Sequence, residues 1–469
     1  MPVQRPSFFS FERPKAALLR FSSFLHRSRL FAAVASCVLL AAAFAAGNAR
    51  AALVRVTPDD DVAAIVEVAA AGDVIEFAPG LYRTHLTVRA AVVLRGPVVK
   101  DGADGTDAAI AAVIDAGGRG SGITVRVPGV LLEHMTVVNY GKNLYERDAG
   151  VRVTDGADGV TIRAMTLKGP GFGIRADRLE GLRVEDCSIE GVRRMHVLDR
   201  GDGVFLNYVK RPWLSGNRVR NVRDGFYFEN VEKSLSTRNF FTGAQYGIHW
   251  MYTRGDFASD NVSAGVIGGF ALMSSRDIHF EANTARKCVE FGVLLNVCDG
   301  CTVKGNRIEG VHNPRGRAAL DNEGKALFIY GPGANRVERN SFSGADIGVG
   351  VALGGEGNVL TENSFADNKV QVRYVGRTPL EWSDKGRGNF WSTFMAWDFD
   401  GDGVADKPYQ PNDSLDRIFW IYPEARFLMD SPVVVLLRWL SQQFEIDRGK
   451  GVTDSFPLME PLPVTGARQ

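Results

Sequence analysis

Cysteine is scarce in this chain, five among 469 residues, too few to brace a fold with disulfides. Positive charge is not in surplus either: 55 Lys and Arg stand against 54 Asp and Glu. Seven of those basic residues but a single acid, Glu12, fall within residues 1–51, which leaves the rest with five more acids than bases. A nucleic-acid binder needs a basic face, so no nucleic acid is expected as a partner. Beyond residue 51 no apolar run reaches the 18 residues that a membrane helix needs. The middle of the chain has neither helical periodicity nor the ladder of leucine-rich repeats.

The basic start of the chain has its own explanation. It leads into "LFAAVASCVLLAAAFAAG" and then "NARAA". A charged region, an apolar stretch and the small-x-small site Ala49-Arg50-Ala51 read as a secretory signal over 1–51. Cleavage near Ala51 then places the mature protein in the periplasm. A retained anchor, or a lipid on Cys37 of "VASC", is the alternative. Cleavage leaves Cys187, Cys288, Cys298 and Cys301. The pair in "CDGC" is either packed or oxidised, or a metal pair without the second half of a zinc site.

Glycine and asparagine are what the chain has in quantity, and they repeat. A Gly followed by apolar–x–apolar recurs at Gly203, Gly225, Gly247 and Gly269, each 22 residues apart. Gly292 comes 23 on, Ala326 takes the place after an insertion, and Gly348 follows 22 later. Asn217, Asn239, Asn261, Asn283, Asn306 and Asn340 each stand 14 residues after a start, with Asn363 one residue late. Fainter rungs begin at Gly150 and Gly173. A fixed period of this length marks a solenoid. The expected fold is all-β, a right-handed parallel β-helix of about 22-residue coils. Equivalent residues would then stack at ~4.8 Å, and the asparagines would form an amide ladder. "TPDDDVAAIVEVAAAGDVIEF" supplies a capping helix and a first strand at the N-terminal end.

Alternation assigns the faces. Val204/Leu206, Phe226/Phe228, Ile248/Trp250, Phe270/Leu272, Val293/Leu295, Leu327/Ile329 and Val349/Val351 fall one and three residues after each start and point inward. In "VQVRY" those positions hold Gln371 and Arg373, so either the register slips by one or the helix ends there. The outward positions carry an aromatic and methionine stripe that includes Tyr227, His249, Met251 and Met273. Met251 and Met273 should sit on adjacent coils, with His249 on the same face. Thioether and imidazole donors together favour Cu(I), while aromatics and Met on an exposed face equally suit a docking surface. These four residues are the candidate copper or partner contact.

Two acidic features compete for attention. Asp202 and Asp224 each precede a coil-start Gly and should stack; paired carboxylates are what glycosidases use, though Asp before Gly is also ordinary turn chemistry. A secreted polysaccharide-modifying lyase, hydrolase or epimerase is therefore the alternative function. "DFDGDGVAD" places Asp398, Asp400, Asp402, the Val404 carbonyl and Asp406 at the spacing of an EF-hand-type loop, a candidate structural Ca²⁺ site that Asp413 or Asp416 would complete. Beyond it, "SPVVVLLRWLSQQF" reads as a helix with Pro432 at its first position. The expected organisation is a signal over 1–51, cap and first coils over 52–120 and β-helix over 121–380. An acidic loop region over 381–415 and a helical tail over 416–469 follow.

The segment "GNFWSTFMAWDFDGDGVADKPYQPNDSLDRIFWIYPEARFLMDSPVVVLLRWLSQQF" resembles the C-terminal part of the NosD family of nitrous oxide reductase maturation proteins. The coils "DGFYFEN", "YGIHWMYT" and "GFALMSS" resemble that family's repeats, and the resemblance spans about residues 55–462. Ala405 stands where the family's acidic loop would have Gly. The resemblance implies a non-enzymatic assembly factor for the copper–sulfide centre of nitrous oxide reductase. It further implies an ABC-type ATPase with its membrane permease, a copper chaperone and the reductase itself as partners, and transient copper as cargo. No catalytic residues transfer with it.

Overall fold

Three short strands build each coil. After Asp224–Glu229 the chain runs through Leu235–Thr237 and Phe240–Thr242, then re-enters the first face at Tyr246–Met251. Each strand pairs in parallel with its counterpart one coil on: Phe226 with Ile248, Leu235 with Phe257, Phe240 with Val262. The computed structural model describes residues 51–98, 111–315, 323–376, 378–412, 415, 418, 421–428, 431–443 and 451–463. Among these the coils stack into sheets of 13, 12 and 13 strands, the faces of a right-handed parallel β-helix. The signal segment 1–50 lies outside the described residues. Stacking begins at Leu53–Val56 and continues past residue 380 to Phe390–Trp391. The helix Val62–Val68 caps the first end, its N-terminus held by the Asp61 carboxylate accepting from the Ala64 N–H.

The inward columns are buried as the alternation requires: Phe226, Phe228, Ile248 and Trp250 are all fully inaccessible. Burying each such side chain contributes about 1.5–3 kcal/mol. Glycine opens most coils because the backbone there lies close against the next coil and the core. A Cβ on Gly225 would stand 2.3 Å from both the Gly247 carbonyl oxygen and the Phe241 ring. At the next corner Arg238, Asp260 and Ala282 adopt φ of 54°, 55° and 54°, and the buried asparagine follows each of them. Asn239 donates Nδ2–H to Asn261 Oδ1 at 2.9 Å and to the Leu214 carbonyl at 3.0 Å, while its own N–H also reaches Asn261 Oδ1. The ladder extends to Asn389 and closes on the buried carboxylate of Asp454.

Two expectations are refined. Val349 pairs with Val372, so Gln371 takes the coil-start place: the register slips by one and the helix goes on. The tail is not helical throughout. Val452–Asp454 pairs with Leu380–Glu381 and Tyr409–Asn412 in a three-stranded sheet, because Asp454 is needed to end the ladder. The helix Pro432–Gln443 does form, with the Ser431 hydroxyl accepting the Val434 N–H. Val434 is buried, but Val433, Val435, Leu436, Leu437 and Trp439 are 44–65% exposed.

Candidate functional site

The strands Asp224–Glu229, Tyr246–Met251 and Gly268–Met273 lie side by side, and their register fixes the site. Tyr227 pairs with His249, and Met251 pairs with Met273 on adjacent coils. The methionines and Tyr227 are partly buried, but His249 is only 8% exposed, a departure from a freely outward stripe. Aromatic rings cover it. Tyr227 and Tyr246 meet the imidazole edge-on at centroid distances of 4.8 and 5.1 Å.

His249 Nδ1 lies 3.0 Å from Asp224 Oδ2. A carboxylate there accepts the Nδ1–H and leaves the lone pair on Nε2. That Nε2 is buried and has no hydrogen-bond partner. An unpaired buried polar atom costs about 1–3 kcal/mol, so its persistence asks for a ligand. Burial pushes the Tyr227 phenol up to about 12, with the Glu229 charge adding to it, so the ring is a neutral wall. Met273 packs with Tyr246 and Phe328 against an apolar cluster of Ala271, Phe291 and Leu294. The face thus carries one oriented imidazole under two tyrosine rings and, two residues along, a pair of thioethers flanked in register by Glu229 and Asn296; thioether and imidazole are donor types that suit a soft cation.

Sequence reasoning singled out Asp224 only as a carboxylate stacked with Asp202, not as the partner of His249, and did not single out Tyr246. Both precede a coil-start glycine. The corner swings them onto the outer face. Asp202 and Asp224 do stack: the Asp224 N–H donates to Asp202 Oδ1 at 3.0 Å. They do not form an open carboxylate pair. Asp202 is fully buried, and Arg223 holds it with two hydrogen bonds of 2.8 and 2.6 Å. Burial raises the Asp202 carboxyl to about 6 against the pull of Arg223. Elsewhere on the coils, the adjacent His–Met pairs are not on this face: Met135 of His134–Met135 is buried in the core, and His196 of Met195–His196 caps a short turn.

In the acidic loop, Asp398, Asp400 and Asp402 bring carboxylate oxygens within 4.8 Å of one another, an arrangement that fits a metal ion. The loop's own amides shape it: Asp398 accepts from Gly401, Asp402 and Gly403. Asp406 stands apart from the cluster and accepts the Phe399 N–H at 2.7 Å. Val404 bridges to Leu458. Asp413 and Asp416 lie outside the described residues.

Fold and face together define a class: a parallel β-helix scaffold with soft donors on one face and sealed carboxylates. Residues 185–396 match the family model described as "Periplasmic copper-binding protein (NosD)". A Pseudomonas aeruginosa protein named "Probable ABC transporter binding protein NosD" is 41% identical over 359 residues, covering 75% of this chain and 84% of the relative. A Stutzerimonas stutzeri protein of the same name is 33% identical over 354 residues, covering 74% and 81%. The chain belongs to the NosD family, and it is periplasmic. That groups it with binding proteins rather than enzymes. Among solved structures, a GH136 lacto-N-biosidase from Eubacterium ramulus aligns at 9% identity and TM-score 0.49, covering 67% of this chain and 68% of that one. The Azotobacter vinelandii mannuronan C-5 epimerase AlgE6 A-module aligns at 16% identity and TM-score 0.46, covering 70% and 92%. Likeness at this level carries no functional argument.

Proposed function

We propose that this chain is an accessory protein for assembling the copper–sulfide centre of nitrous oxide reductase, and that copper passes over the face formed by His249, Met251 and Met273. One observation carries the reading: His249 Nε2 is buried and unpartnered, while Asp224 holds Nδ1, beside a register pair of methionines. Copper is cargo here, received from a copper chaperone and given up to the reductase. The carboxylate orients the imidazole, the thioethers offer soft donors, and Tyr227 and Tyr246 keep water from the ring. Soft neutral donors hold Cu(I) without the tight grip of thiolates, which suits a site that must release its ion.

The docking surface belongs to the C-terminal region. The names of the relatives point to an ABC transporter, and we assign its permease to the exposed apolar side of the helix Pro432–Gln443. Met395, Trp397 and Phe399, 71–95% exposed, add exposed apolar side chains at the acidic loop itself. Ca²⁺ at Asp398, Asp400 and Asp402, with the Val404 carbonyl, would stiffen the loop that carries them. Organisation into cap, β-helix, acidic loop and tail then separates the copper face from the docking end.

The test is made on the client. The gene is deleted and nitrous oxide reductase is purified from the cells. Its copper content and the visible absorption of its copper–sulfide centre are measured. The reading requires a folded, exported reductase without that centre. An intact centre refutes it, and acidic polysaccharides are then assayed as substrates of the mature chain.

A further inference from the structure

Four buried cysteines lie among the described residues, and two of them are unlike the others. Cys187 and Cys288 are isolated in the wall, and burial pushes each thiol up to about 12. Cys298 and Cys301 share one tight corner, and the neighbouring Cys301 thiol draws the Cys298 thiol below its usual range. Gly300 between them takes φ 65°, the left-handed bend that turns both side chains to the same side. Each sulfur rests against the coil below. Cys298 Sγ is 3.1 Å from the Leu272 carbonyl oxygen, and Cys301 Sγ is 3.9 Å from that of Ser275. The segment they grip, Leu272 to Ser275, includes Met273 of the copper face.

We infer that Cys298 and Cys301 are a thiol oxidation site, joined as a disulfide in the exported protein by a disulfide-bearing oxidant. The neighbouring Cys301 thiol stabilises the Cys298 thiolate, and that thiolate attacks one sulfur of the oxidant's disulfide. The oxidant's S–S bond breaks and one of its sulfurs leaves as a thiol. Cys301, losing its proton, then attacks the Cys298 sulfur and expels the second. Two electrons and two protons pass to the oxidant, which leaves as two thiols, and one new S–S bond remains. The thiols are only 2% and 1% exposed, so exchange belongs to folding, before the coils close over the corner.

Both sulfurs belong to the core cluster rather than to the outer face, so the disulfide braces the corner beside the coil of Met273 and takes no part in metal binding.

The full chain with its own leader is exported, denatured in acid, alkylated without reduction and digested. The tryptic peptide 288–304 carries three cysteines, and fragmentation assigns each of them. We expect Cys288 and Cys187 alkylated, and Cys298 and Cys301 joined, the peptide being about 2 Da lighter than after reduction. Alkylation at both Cys298 and Cys301, or a bond to Cys288, overturns the assignment.

Discussion

The asparagine corner and the face proposed for copper lie on the same coils and treat buried polar groups differently. At the corner every ladder amide is used: Asn261 donates to Ser236 and Asn283 and accepts twice from Asn239. On the face, His249 Nε2 and Asp224 Oδ1 have no partner. Unpartnered atoms also occur away from the face, at Trp250 Nε1, Ser234 Oγ, Ser236 Oγ and Asp256 Oδ2; those of Asp224 and His249 differ in belonging to one hydrogen-bonded pair beside the outer methionines. Changes at the corner should therefore unfold the protein, and changes on the face should disarm it.

The largest effect is expected at the corner. Asn261→Ala strands the amide of Asn239 and the Ser236 carbonyl, and should cost about 3 kcal/mol or more. Thermal or denaturant unfolding measures this; a loss below about 0.5 kcal/mol would remove the ladder from the account. Next comes the double change Met251→Leu and Met273→Leu. Leucine conserves the volume, so stability should shift by less than about 1.5 kcal/mol while retention of Cu(I) drops at least about tenfold. If both variants unfold alike, the contrast between corner and face is gone.

The third effect is set by pH. Burial raises Asp202, Asp256 and Asp454 from the usual 3.8 to about 6. Each binds its proton more tightly folded than unfolded, so folding takes up protons between pH 4 and 6. Stability is then greatest near the acid end of that window and falls as pH rises through 6. Asp346, held at about 2 by Lys369 and loop amides, acts in the other direction and only below pH 4. The melting temperature should be higher at pH 5 than at pH 7; the reverse order would mean these acids are not sealed. The smallest effect is calcium. Chelation should lower melting by a few degrees at most, about 1 kcal/mol, and leave the copper face untouched.

Much of this was legible in the sequence because a solenoid writes its geometry into its period. Gly225, Gly247 and Asn239 are forced by clashes and by a buried amide column, so they recur and can be counted. The pairing of Met251 with Met273 followed from the same count. The rest was hidden where the period breaks. Alternation fails at the corner before each glycine, so the reach of Asp224 to His249 could not be read from spacing. The three-stranded end sheet joins residues 380 and 452, a contact without any repeat to announce it. Covering of His249 by Tyr246 depends on ring packing across coils, which the pattern of outward positions does not encode.

The most direct test of the central claim is copper X-ray absorption on the mature, Cu(I)-loaded protein. The account predicts a first shell of mixed sulfur and nitrogen, with the sulfur scattering lost in the Met251→Leu, Met273→Leu protein and the imidazole scattering lost in His249→Ala. A shell of oxygen and nitrogen alone, or a spectrum that none of these substitutions alters, would contradict it.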